Sequence, residues 1–322
     1  MSETMKAVVL DRITPARDVY LTEVPVPEVK SGWVLVKVRA FGMNHSEQIL
    51  RQEEIAESYI QKPVIPGIEC VGEVADTGDT RFHKGQMVCA LMGGMGRSFN
   101  GSYAEYALLP EKQVFVADSA LPWERLGAVP ETYFTAWGSL FECLHLEAED
   151  TLLVRGATCA LGYASIQIAK ALGCRVIATT HRDSKLSLLE KAGADECIVD
   201  SGVLTGKVSG VTKALELVGP GVLRDTLTAV EKGGIVCNTG ILGGVYTLDG
   251  FDPIKEIPNG VYLTGFFSNY PTQETMDDIF AFLNKYHLTP AVGAVYDFAH
   301  IREACMAQDG KPKVDGKIIV TM

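Results

Sequence analysis

The sequence predicts an α/β chain: a β-rich first domain, a doubly wound parallel-sheet domain, and a last segment that returns to the first. Three observations carry this. Up to about residue 120, short alternating runs are punctuated by Gly and Pro, with no helix–strand alternation. From residue 124 on, β-branched runs alternate with helical patterns, the signature of crossover-connected parallel strands. Residues 150–185 then read as strand, glycine turn, helix and strand in immediate succession. A length of 322 residues suits two domains of about 150 each, and the composition places them at 1–124, 125–268 and, completing the first domain, 269–322.

Taken in order, residues 5–10 and 34–40 alternate as strands, with turns at Pro25, Pro27 and Ser31-Gly32 before the second. A turn at 63–67 precedes a strand at 69–74, and β segments at 85–91 and 101–108 flank a glycine-rich loop, 93–101. Residues 131–144 read as a helix leading into the strand at 151–154. Leu161, Ala164, Ile168 and Ala171 share one face of the next helix, which stops at Gly173. Strands follow at 175–179, 196–199, 213–217, 234–238 and 261–265, with helical connections at 185–192 and 221–230. Helices at 273–286 and 299–307 and a strand at 317–321 close the chain.

The turn is Gly156-Ala157-Thr158-Cys159-Ala160-Leu161-Gly162. A helix N-terminus directly after a strand offers backbone N–H groups and a dipole to a pyrophosphate. Its glycines are six apart, so a turn that merely packs helix against strand fits the same letters. The end of the following strand distinguishes cofactors. An NAD site places a carboxylate there for the ribose hydroxyl, whereas NADP needs cations and hydroxyls. Here the strand runs into Thr180, His181, Arg182 and Lys185, with Asp183 only beyond Arg182, so the preference reads as NADP(H). A solvated helix start is the plain alternative for Arg182 and Lys185.

Composition narrows the function classes. The chain is 47% hydrophobic and 21% charged, with a net charge of −11 and no basic run, which argues against nucleic acid or an anionic membrane surface as partner. No segment approaches the roughly 18 apolar residues of a membrane span, and residues 1–11 lack a signal-peptide core, so the expected address is cytoplasmic. Eight cysteines are spread singly, without a C-x-x-C pair or Cys/His cluster, as buried small hydrophobes in a reducing compartment would be. Cys159 differs, because a helix N-terminus favours a thiolate.

Several phrases carry a resemblance: Pro66-Gly67-Ile68-Glu69 with Gly72-Glu73-Val74, Gly101-Ser102-Tyr103-Ala104-Glu105-Tyr106, Tyr133-Phe134-Thr135-Ala136-Trp137, and Gly316-Lys317-Ile318-Ile319-Val320. In order and spacing they resemble the quinone oxidoreductase branch of the medium-chain dehydrogenase/reductase family. The resemblance implies a GroES-like catalytic domain and a Rossmann NADP-binding domain. Zinc members of the family place a Cys where this sequence has Asn44 and a His where it has Ile68, and carry a four-cysteine lobe that is absent here. Catalytic zinc needs three protein ligands, so no metal is expected, His45 notwithstanding.

By the same resemblance, NADPH delivers hydride to a small-molecule quinone or α,β-unsaturated carbonyl, and the enzyme is a homodimer. Asn44 is the implied catalytic residue beside the nicotinamide, although it also fits a turn cap. Tyr59 and Tyr133 are possible proton donors, with solvent as the alternative. Thr135, Gly156, Cys159, Ala160, Leu161, Gly162, Thr180, Arg182, Lys185, Thr239, Ile241, Phe266 and Ser268 are the implied cofactor contacts; Cys159 replaces a common glycine and crowds the pyrophosphate. Met43, Tyr59, Met92, Phe266 and Phe267 suit an apolar cleft or equally the core. The rival functions are an NADPH-binding sensor or interaction protein with little turnover, and a zinc-type alcohol dehydrogenase.

Overall fold

A computed structural model describes residues 3–322. The chain divides into two compact units, one running to Phe134 and completed by Asn269–Met322, the other Thr135–Ser268. The first unit contributes β1 (Thr4–Ala7), β2 (Thr22–Pro25), β3 (Trp33–Met43), α1 (His45–Gln52), β4 (Glu69–Asp76), β5 (Met87–Leu91), β6 (Tyr106–Pro110), β7 (Val114–Val116) and α2 (Trp123–Leu126). Helix α3 (Pro130–Trp137) crosses the boundary and widens into a π-helical segment, Gly138–Cys143. The second unit holds β8 (Thr151–Arg155), α4 (Ala160–Leu172), β9 (Arg175–Thr180), α5 (Leu186–Ala192), β10 (Glu196–Val199), β11 (Lys213–Glu216), α6 (Pro220–Thr228), β12 (Ile235–Asn238), α7 (Pro253–Glu256) and β13 (Tyr262–Gly265). Helix α8 (Gln273–Tyr286), β14 (Val292–Asp297), α9 (Ile301–Gln308) and β15 (Lys317–Thr321) return to the first unit.

In the first unit β3 is the organising strand. It is eleven residues long, pairs antiparallel with β4, β6 and β15, and buries its alternating valines Val34, Val36 and Val38. Phe41 on the same strand stacks on Tyr103 at 4.4 Å and meets Phe298 edge-on at 6.0 Å. The register of β15 follows: Ile318 lies opposite Met43 and Ile319 opposite Gly42, so Lys317, one residue earlier, falls beside Asn44. Helix α1 is an addition to the mostly β expectation for this stretch. It starts at Asn44, whose N–H donates to the Glu47 carboxylate at 2.8 Å, half of a capping box.

In the second unit six parallel strands lie in the order β10-β9-β8-β11-β12-β13. Leu152, Leu153 and Val154 of β8 are fully buried, as a strand covered on both faces requires. Strand order reverses between β8 and β11, which makes the carboxyl ends of those two strands the natural ligand position. Ala164 and Ile168 of α4 are buried, and the helix ends at Gly173 with φ +108°, a left-handed cap that glycine supplies without strain. None of the eight cysteines is in a disulfide, and five of them are buried. Among the described residues no helix is long and apolar enough to cross a membrane.

Candidate functional site

Each unit carries a polar cluster built by its own strands. In the second unit the chain leaves β8 through Gly156 at φ +80° and enters α4 after Cys159. A methyl group on Gly162 would collide with the Ala157 carbonyl, so the first turn of α4 lies directly on the preceding backbone. This explains the six-residue spacing: one glycine provides the turn and the other the close approach. Cys159 is the N-cap, its sulfur accepting from Gly162 N at 3.4 Å, and Ala160 and Leu161 follow half-buried. The thirteen-residue α4 and this turn fit a pyrophosphate.

At the end of β9, Thr180 is buried and its hydroxyl lies 3.3 Å from that of Thr158 in the glycine turn. The same hydroxyl accepts from Arg182 N at 3.3 Å. His181 and Arg182 are exposed, with Arg182 Nε 2.9 Å from His181 Nε2, whereas Lys185 is largely buried. At the end of β12, Thr239 shares a hydrogen bond with Ser139 at 2.9 Å and lies 3.3 Å from the Cys237 sulfur. Ile241 is half-buried just beyond it. Phe266 packs where any side chain on Gly138 would stand, Phe267 is exposed, and Ser268 closes the unit.

Behind the turn lies a cluster that sequence reasoning missed. Arg155, the last residue of β8, is fully buried and bonds Asp200 at 2.7 Å and 3.1 Å, Asp225 at 2.8 Å and Thr226 at 2.9 Å. Burial works against its charge, but the carboxylates, Asp200 foremost, raise its basicity further. Glu216, its neighbour across the sheet, accepts from Val218 N at 2.7 Å and Gly219 N at 3.0 Å, thereby shaping the loop after β11. Burial raises the Glu216 pKa despite those bonds.

In the first unit, Asn44, Glu69 and Lys317 form one hydrogen-bonded group. Lys317 Nζ donates to Asn44 Oδ1 at 2.5 Å and to Glu69 Oε1 at 2.7 Å; Asn44 Nδ2 donates to Glu69 Oε1 at 2.8 Å. The other Glu69 oxygen accepts from Glu131 N at 2.8 Å, in the first turn of α3. Glu69 is 0% and Lys317 4% exposed, so the pair is secluded from water. Glu47, also buried, accepts from Asn44 N and, at 2.9 Å, from Ile68 N; its burial raises its pKa. The strand registers therefore gather Asn44 with two residues not singled out beforehand. The available signals were lone charges in apolar runs: Glu69 before Cys-Val, Lys317 before Ile-Ile-Val, Arg155 after Leu-Leu-Val.

The remaining candidates are dispersed. Tyr59 is 65% exposed and donates to Glu54 at 3.0 Å. Tyr133 and Thr135 are buried in α3, and burial pushes the Tyr133 phenol well up. Met43 belongs to the core beneath β3. Ile68 is buried, and among the described residues no group of three or more His, Cys, Asp or Glu is poised around a common point.

Comparison with known proteins agrees with this architecture. Residues 30–119 match the family described as alcohol dehydrogenase GroES-like domain, and residues 160–285 match zinc-binding dehydrogenase. Quinone oxidoreductase of Pongo abelii is 26% identical over 299 residues, covering 88% of this chain and 87% of its own. That of Rattus norvegicus is 29% identical over 236 residues, covering 70% and 69%. The crystal structure of AibC superposes with a TM-score of 0.89 at 26% identity, covering all of this chain and 96% of that one. The GroES-like portion, the switch-point glycine turn and these relatives agree: the chain belongs to the medium-chain dehydrogenase/reductase family of NAD(P)-dependent oxidoreductases, in its quinone oxidoreductase-like branch.

Proposed function

We propose that the protein is an NADPH-dependent, zinc-independent oxidoreductase that reduces quinones or α,β-unsaturated carbonyls. The observation that carries the zinc-independent part is the Lys317 ammonium. It donates to Asn44 Oδ1 and to Glu69 Oε1, so these oxygens already hold a cation supplied by the chain. The family positions of two zinc ligands are Asn44 and Ile68, and the latter offers only hydrocarbon. For cofactor choice, the support is the end of β9, where no carboxylate precedes Asp183 and where Thr180, Arg182 and Lys185 suit a 2′-phosphate.

When bound, the nicotinamide supplies hydride to the electron-poor carbon of the acceptor. The chain's own residues do the rest. Backbone N–H groups of Ala160 and Leu161 would hold the pyrophosphate, with Gly162 allowing the close approach, and Thr135, Thr239, Ile241, Phe266 and Ser268 would orient the reduced ring. Asn44 meets the acceptor oxygen as it gains charge. One hydride and one proton convert a quinone to a hydroquinone, and NADPH to NADP. Tyr133 has its phenol pushed up by burial and Tyr59 is turned to Glu54, which supports solvent as the proton source.

The free edge at β13 with Tyr262 61% exposed supports a homodimer, and the composition supports a cytoplasmic address. The test is titration of metal-analysed protein with NADPH and NADH, then turnover with a naphthoquinone and an alkenal, before and after chelation. At least tenfold tighter NADPH binding with chelator-insensitive turnover is expected. Equal NADH binding would overturn the cofactor reading, zinc-dependent turnover the mechanism, and binding without turnover would favour a sensor. Sedimentation velocity should show a species of twice the chain mass.

A further inference from the structure

We infer that Lys317 is a positioning residue for the reduction, polarising the Asn44 amide so that one of its protons is presented to the acceptor oxygen; this deepens the function proposed above and rests on it. An ammonium has donors only and a carboxylate acceptors only. Asn44 therefore points its oxygen at Lys317 and its nitrogen at Glu69, and the amide orientation is set by chemistry. Its backbone is fixed too, by Glu47 on the N–H and by Gln308 Nε2 donating to its carbonyl at 2.6 Å.

The two protons on Asn44 Nδ2 are not equivalent. One is taken by Glu69 at 2.8 Å; the other has only a 3.4 Å approach to the Gly42 carbonyl, at the outer limit of a hydrogen bond. That second proton is the one a stronger acceptor can claim. Withdrawal of electron density from Oδ1 by a buried ammonium strengthens the N–H groups across the conjugated amide, because hydrogen bonds in a chain polarise one another in a low dielectric. Asn44 is half-buried, whereas Lys317 and Glu69 are not exposed enough to meet a ligand. Lys317 thus acts through Asn44. It also neutralises Glu69, which would otherwise stand as an uncompensated buried anion.

Four variants test this: Lys317→Met, Lys317→Met/Glu69→Gln, Asn44→Ala and Asn44→Ala/Lys317→Met. NADPH affinity is read by fluorescence, kcat with a quinone at saturating NADPH, and the Asn44 carboxamide by nitrogen-15 NMR. Lys317→Met should lower kcat about 10- to 100-fold, the range typical of lost outer-shell partners, with NADPH affinity within about twofold. In the Asn44→Ala background the same change should cost less than about twofold, since the residue through which it acts is gone. The Asn44 amide proton resonances should move upfield in Lys317→Met. Should that variant not fold, Lys317→Met/Glu69→Gln removes both buried charges together and should show the same losses.

Wild-type kcat in folded Lys317→Met, an equal loss with and without Asn44, or full activity in Asn44→Ala overturns the inference. If wild type turns over no acceptor, the proposed function has failed. The NMR comparison then decides the inference alone, and unmoved Asn44 resonances reject it.

Discussion

Arg155 Nη1 lies 2.8 Å from Asp225 Oδ2, tying the last residue of β8 to α6 immediately before the glycine turn. The guanidinium bonds five acceptor atoms on four residues without any exposure, so its removal leaves Asp200 and Asp225 without their cation. Arg155→Met should lower unfolding free energy by about 3–5 kcal/mol, as breaking a buried pair from one side does. Urea denaturation followed by circular dichroism checks this. A loss below about 1 kcal/mol would show that the cluster relaxes freely.

Stability should also depend on acid through the same cluster. Burial opposes the charge on Asp225, but bonds from Leu204 N and Thr205 together with Arg155 hold its pKa below the usual 3.8. A lowered folded pKa means stability that is complete above the unfolded value and lost as pH falls through the folded one. The stability gap between wild type and Asp225→Asn should be widest near neutrality and close below about pH 4. Glu47 and Glu216 have the opposite sign: burial raises both, so their contribution favours folding in acid and weakens as pH climbs past the usual 4.5. Urea midpoints across pH in the four backgrounds Asp225→Asn, Glu47→Gln, Glu216→Gln and wild type separate the two signs.

At Gly162 the prediction concerns contact. A Cβ there meets the Ala157 backbone, which cannot swing aside as a flexible side chain does. Gly162→Ala should destabilise by about 1–3 kcal/mol through overpacking and weaken nucleotide binding at least tenfold by lifting the first turn of α4. Calorimetric titration with NADPH, alongside thermal melting, reads both.

Arg182 is exposed just beyond β9, its side chain held only by the 2.9 Å contact of its Nε with the exposed His181 among the bonds described. Arg182→Ala should weaken NADPH binding about 10- to 100-fold, the worth of one charge-assisted hydrogen bond, and leave NADH affinity unchanged. The wild-type preference should shrink with added salt. Equal losses for both cofactors would assign Arg182 to structure.

Local features were readable from the letters, and non-local ones were not. The glycine turn lies in seven consecutive residues, so strand, turn and helix could be placed together, and 273–286 and 317–321 coincide with α8 and β15. The parallel strands announced themselves by β-branched runs. By contrast, the Asn44–Glu69–Lys317 group depends on the registers of β3 with β4 and β15, which no short window contains. In the letters Lys317 is the first residue of the strand at 317–321, and Arg155 follows the strand at 151–154. Helix α1 escaped because its only local cue, Asn44 followed three residues later by Glu47, sits among polar letters that a loop also carries.

Lys317 and Asn44 are 273 positions apart in the chain, and β15 must reach β3 before they meet. A ribosome adds residues from the N-terminus at about 5–20 per second, so β3, α1 and β4 emerge more than ten seconds before their last partner. Throughout that interval Glu69 lacks Lys317, while the contiguous unit Thr135–Ser268 is complete once residue 268 has emerged. Nascent chains should therefore acquire a protease-resistant nucleotide-binding unit first. The group around Asn44 then forms only once β15 has emerged and paired with β3.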